Sequence, residues 1–139
     1  MYQKDYILRM LEMLAELIAG ILGLLKKGDL EQAAAMLERA YVDFLKEDAA
    51  FFRRIPPERL TTQLLEEHHY THDHLKILSE LFYAEAEIEL AAANRENSLE
   101  YFEKALILMS FVEKNSHTFS LDSQSKMSLI QGKIEQLKA

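Results

Sequence analysis

From Ile7 to Leu25, apolar side chains recur at steps of three and four: Ile7, Met10, Leu11, Leu14, Leu17, Ile18, Ile21, Leu24 and Leu25. That spacing lines one side of an α-helix and predicts a helix over 3–26. Arg9, Glu12 and Glu16 mark its wet side. No charge falls between Leu17 and Leu25, so this half is apolar nearly all round and must be covered on several faces. Gly20 and Gly23 lie inside it. Each costs roughly 0.5–1 kcal/mol relative to alanine, which is reasonable where a second helix backbone comes close. Gly28 suits the left-handed position past the helix end, with Lys26 and Lys27 facing the negative end of the helix dipole. Asp29 and Gln32 read as the two halves of a capping box that opens the next helix.

The second helix is predicted over 30–46, with Leu30, Ala33, Leu37, Ala40, Tyr41, Phe44 and Leu45 inward. Asp48 to Ile55 reads as a connection pinned by Phe51 and Phe52. Pro56-Pro57 ends whatever precedes it, and Pro57 can open a short third helix over 57–68. A fourth helix is predicted over 73–93, with a break at Tyr70-Thr71-His72 and Thr71 as its cap. Neither Gly nor Pro enforces that break, so one continuous helix from Pro57 is the alternative. The fifth helix spans 98–114. Asn115 to Asp122 reads as a polar loop pinned by Phe119, and a sixth helix over 123–137 carries a narrow apolar seam. The expected architecture is all-α: about six helices in antiparallel hairpins, in one domain over 1–139.

Composition sharpens this picture. The chain has 139 residues, 49% of them hydrophobic, with only 4 Gly and 2 Pro, which favours long helices over turn-rich sheet. A chain of this length can bury roughly 68–70% of its unfolded surface. A net charge of −7 argues against nucleic acid as a partner. The absence of cysteine removes disulfides and thiolate metal sites and fits a reducing, cytoplasmic setting. Arg9, Glu12 and Glu16 make the first helix too costly for a membrane span, and its acidic interruptions do not fit a secretory signal.

Two segments resemble each other. Gly28-Asp29-Leu30-Glu31 aligns with Ala93-Asn94-Arg95-Glu96, Ala33 with Ser98, Leu37 with Phe102, and Glu38-Arg39-Ala40 with Glu103-Lys104-Ala105. The offset of about 65 residues is close to twice the roughly 34-residue period of tetratricopeptide repeats. Each segment resembles the second half of such a repeat: turn, acidic residue, small residue, large apolar residue, small residue. The likeness covers about half of the chain. The aromatic and glycine signature of the first helices is missing, and Pro56-Pro57 interrupts the place of a middle repeat, so the resemblance is to a degenerate, tetratricopeptide-like array. The opening Met1-Tyr2-Gln3-Lys4-Asp5-Tyr6-Ile7 and its hairpin also resemble a family of small uncharacterised bacterial proteins, a likeness that implies no activity.

The tetratricopeptide resemblance implies a non-enzymatic interaction or scaffolding module that binds a protein or peptide on the face of its first helices. Here that face comprises Ala15, Ile18, Ala19, Leu22 and Lys26, with Glu80, Tyr83, Glu87 and Leu90. Ile18, Leu22, Lys26, Tyr83 and Glu87 are the candidate partner-binding residues. The Asn and Lys pattern that grips a peptide carboxylate is absent, so an apolar or basic partner fits better. The same face can instead be filled by the protein's own helices. The all-round apolar run Leu17–Leu25 further implies a two-fold homodimer through the first helix.

Four of the five histidines fall in His68-His69-Tyr70-Thr71-His72-Asp73-His74. On a continuous helix His68 and His72 lie one turn apart, and with Asp73 they form a candidate site for Zn2+ or Ni2+. No HExxH motif accompanies them. No nucleophile elbow, phosphate-binding glycine loop or catalytic cysteine is visible. Glu85, Glu87 and Glu89 fall on different helix faces and read as solvated charge, so catalysis is not expected.

Overall fold

The computed structural model describes residues 2–115 and 121–139, with side chains from residue 5 onward. Phe119, expected to pin the loop before the last helix, lies outside the described residues. The described chain is all-helical. The elements are α1 (Tyr2–Lys26), α2 (Leu30–Leu45), α3 (Ala49–Arg53), α4 (Leu60–Thr62), α5 (His72–Ala91), α6 (Arg95–Lys114) and α7 (Leu121–Lys138).

The first hairpin closes as its residues suggest. The Leu24 carbonyl accepts the Asp29 N–H at 2.9 Å, the Leu25 carbonyl accepts the Gly28 N–H at 3.0 Å, and Gly28 sits at φ +83. This paired closure is the turn that a left-handed residue permits. Asp29 then caps α2, its Oδ1 accepting the Gln32 N–H at 3.1 Å. The turn between α5 and α6 repeats the geometry. Glu89 and Leu90 accept from the Asn94 and Ala93 N–H groups at 2.8 and 3.0 Å. Asp29 has φ −92 and ψ 73, and Asn94 has φ −92 and ψ 77. Beyond these turns the aligned residues are buried in both halves: Ala33 and Ser98, Leu37 and Phe102, Ala40 and Ala105. The Ser98 hydroxyl is silenced by donating to the Ala86 carbonyl at 2.9 Å.

Helix α5 is the axis of the fold. Nearly every side chain from Leu75 to Ala86 is buried, because α1, α2 and α6 all pack on it and α7 closes against α6. One apolar core joins all of these helices.

Three expectations are corrected. The segment 57–68 is not one helix. It is a 3-10 turn at Pro57–Arg59, then α4, then a π-helical turn at Gln63–Glu67. The wide turn, closed by the His68 N–H on the Gln63 carbonyl at 3.0 Å, lets Leu60 and Leu64 both reach the core while the chain bends back. The connection Asp48 to Ile55 contains a helix, α3, capped by Asp48 Oδ1 on the Phe51 N–H at 3.0 Å. Among the described residues seven α-helices therefore stand where about six helices were expected. Finally, Gly20 and Gly23 admit no close backbone: a Cβ at Gly20 would meet only the Met36 side chain at 3.5 Å, and one at Gly23 would meet nothing within 4 Å. The break before α5 is present, and Thr71 caps it.

The two matching turns differ at the cap, where Asp29 bonds the helix through its side chain and Asn94 does not, and at the left-handed residue. Ala93 holds the left-handed position, φ +67, that Gly28 holds in the first hairpin. A Cβ is disfavoured there. Ala93→Gly is expected to stabilise the protein by about 0.5–1 kcal/mol and Gly28→Ala to destabilise it by a similar amount, read as opposite shifts of the urea midpoint.

Candidate functional site

Four helices leave a groove of about 520 Å3 between them. Buried Leu14 and Ile18 of α1, Ser79 of α5 and Met109 of α6 lie deep in it. Ala15, Ala19 and Leu22 continue the α1 wall, and Val112 the opposite one. The rim is charged: Lys76, Glu80, Glu113, Asp122 and Lys126. Lys126 on α7 is held by Glu80 at 3.1 Å, with its ammonium 4.0 Å from the Tyr83 ring centroid. With that pair set aside, Glu113 and Asp122 stand against Lys76, and the rim is net negative. Size, apolar lining and a few polar groups at the mouth are the usual features of a ligand groove.

The expected partner-binding residues divide between two settings. Ile18 and Leu22 line the groove, as do Ala15, Ala19 and Glu80. Lys26 is exposed at the end of α1 and is not among the groove residues. Tyr83 and Glu87 are covered by α7. Lys126 lies over the Tyr83 ring, and Lys133 pairs with Glu87 at 3.7 Å. Burial, reinforced by Glu87, pushes the Tyr83 phenol well above its ordinary pKa. The contributions of α6 and α7 to the groove, Met109, Val112, Asp122 and Lys126, went unnoticed in the sequence. The weakly patterned last helix carried no signal of where it would lie.

A second polar cluster is internal. Glu85, expected to be solvated, is 5% exposed. The Tyr41 hydroxyl donates to its Oε1 at 3.0 Å, and Arg53 Nε and Nη2 donate to its two oxygens at 3.0 and 3.2 Å. The Arg53 guanidinium also meets Glu38. Lys104, 1% exposed, donates to the Arg53 carbonyl at 3.1 Å and pairs with Glu100 at 3.0 Å. Burial raises the Glu85 carboxyl pKa, although Arg53 and Tyr41 pull it down. Burial alone would lower the Arg53 pKa, but Glu85 and Glu38 raise it overall. No buried side-chain polar atom among the described residues lacks a partner, and the cluster reads as a bolt joining α2, α3, α5 and α6.

The histidine segment does not converge. His68 ends the π-turn, where Nε2 lies 3.3 Å from Glu47 and the ring packs against Phe51 and Tyr70. His72 opens α5 and packs edge-on against Phe111. The break removes the one-turn spacing that would have put His68 and His72 on a single face, and Asp73 is exposed. Among the described residues no three His, Asp or Glu side chains come together to hold a metal ion. The segment is a hinge fastened from both sides. Tyr70 donates to the Leu45 carbonyl at 2.6 Å and stacks on His74 with centroids 4.4 Å apart. His74 completes the cap of α5: its Nδ1 accepts the Thr71 N–H at 3.0 Å, and its own N–H reaches the Thr71 hydroxyl at 3.4 Å.

Comparison of the chain with family models, with curated proteins and with solved structures finds no match.

Two stability tests follow from these clusters. Arg53→Met strands a buried carboxylate and is expected to cost about 3–5 kcal/mol at neutral pH. The pKa of Glu85, already above 4.5, rises further without its cation. Stability is then fully present below the unfolded-state value and lost as pH rises through the folded one. Urea unfolding should show the deficit shrinking towards pH ~5 and growing towards pH ~8, with Glu85→Gln in the same background flattening the profile. His74 behaves oppositely. Burial, partly offset by Asp73, lowers its pKa below 6.5, so its contribution is present above that value and lost as pH falls through the folded one. A protonated Nδ1 cannot accept the cap hydrogen bond and puts a cation at the positive end of α5. His74→Glu, which keeps an acceptor at that position, should remove about 1 kcal/mol of acid sensitivity.

Proposed function

We propose that the protein is a non-enzymatic interaction module whose docking surface is the groove between α1, α5, α6 and α7. The observation that carries this is the groove itself: an open, apolar cleft of about 520 Å3, its depth fixed by core residues and its rim net negative. The occupant that fits is an amphipathic segment of another protein, with an apolar face for the α1 wall and a basic residue for Glu113 and Asp122. Helix-in-groove recognition works in this way. The tetratricopeptide-like reading lends support, since the two hairpins share turn geometry and the same small–large–small burial, and five residues of the expected binding face line the cleft.

The test uses a labelled peptide with leucine at helical spacing and lysine on the opposite face. Ala15→Trp fills the groove from an exposed wall position without entering the core. Fluorescence anisotropy should show saturable binding to the wild type and a loss of at least tenfold in the variant. Equal binding by both proteins would remove the groove from consideration.

A further inference from the structure

We infer that a second copy of this chain docks along α1 as an antiparallel partner helix, on a strip separate from the groove. Tyr6, Met10, Met13, Leu17, Gly20 and Leu24 follow one another at steps of four, three, four, three and four. This is the seam of a coiled coil, a repeat of 3.5 residues, and it runs beside the fully buried Leu14, Ile18 and Ile21, with Met10, Leu17 and Leu24 also packing partly against the core. The strip is open where it should be covered: Tyr6 is 63% and Met13 58% exposed, although both are large and apolar. Met10, Leu17 and Leu24 are half-buried beside them. At Gly20 the strip runs into the protomer itself, where Met36 of α2 would meet an added Cβ at 3.5 Å.

The expected dimer run, Leu17–Leu25, is largely used within the protomer. Ile18 and Ile21 are core, Leu22 lines the groove, and Leu24 and Leu25 pack partly against the core. The free apolar surface lies further towards the N-terminus.

Charge identifies the occupant. Arg9 and Glu16 flank the seam on its outer side, seven residues apart, and neither has an ion-pair partner among the described residues. In an antiparallel two-fold pair, one register stacks Met10 on the partner's Met13 and Tyr6 on the partner's Leu17. That register puts Arg9 of each copy beside Glu16 of the other, twice by symmetry. Sliding by one heptad sets Glu16 against its own copy instead, a like-charge contact at the centre. The strip therefore matches itself in charge over Tyr6, Met10, Met13 and Leu17.

Light scattering after size exclusion reads the result. The wild type should be a dimer at tens of micromolar, and Met13→Glu, at an exposed position, a monomer with unchanged helix content by circular dichroism. Arg9→Glu and Glu16→Arg should each weaken association at least tenfold, while the double variant R9E/E16R restores it. A monomeric wild type, or a dimer that survives Met13→Glu, overturns the docking strip. A double variant no better than the singles overturns the register. The groove peptide can be measured on Met13→Glu, so the failure of either surface leaves the other to be judged by itself.

Discussion

A carboxylate inside the helical stack constrains the arrangement around it. Glu85 projects from the most enclosed helix, at 5% exposure, where an unpaired charge would be untenable. Its cation comes neither from α2, which offers the Tyr41 hydroxyl, nor from α6, whose buried Lys104 is engaged by the Arg53 carbonyl and Glu100. It comes from α3, a helix of five residues started by Asp48 and stopped by Pro56. Arg53 at the end of that helix reaches Glu85 and Glu38 with its guanidinium, and its carbonyl accepts Lys104. One residue thus touches α2, α5 and α6. Buried pairs of this kind add little net stability over an apolar filling of equal size. Their effect here is positional: α2 and α6 can lie against α5 in the one arrangement that leaves Glu85, Tyr41 and Lys104 all hydrogen-bonded.

That arrangement explains the breadth of apolar surface on α1. A helix that only covers a core needs one stripe. Helix α1 has three uses for apolar side chains. Leu14, Ile18 and Ile21 enter the core, Ala15, Ala19 and Leu22 wall the groove, and Tyr6 and Met13 stand out on a third side. The run that read as apolar all round is therefore divided among neighbours, with the surplus displaced towards the N-terminus.

Much of the fold was legible because it is locally encoded. Gly28 and Asp29 state the first turn in two residues, and Thr71 marks the start of α5 without help from Gly or Pro. The likeness between Gly28–Ala40 and Ala93–Ala105 predicted the shared turns and the shared burial. What could not be read depends on distant partners. Nothing near Glu85 distinguishes it from Glu87 or Glu89 until Arg53 is brought across from α3. The π-turn at Gln63–Glu67 answers to the need to bury Leu60 and Leu64 together, a demand set by the assembled core. The groove was half visible: its α1 wall follows from periodicity, while its α7 wall follows from a packing choice that a weakly amphipathic helix does not announce.

The bent connector between α3 and α5 has a kinetic corollary. Each hairpin on either side of it closes through contacts between residues near in sequence, which form quickly. Joining the halves requires Tyr41 to meet Glu85 across 44 positions and Lys104 to meet Arg53 across 51. Assembly of the buried charge cluster, together with the packing of α1 on α5, is therefore long-range, and the two helical halves are poised to take shape before they recognise each other.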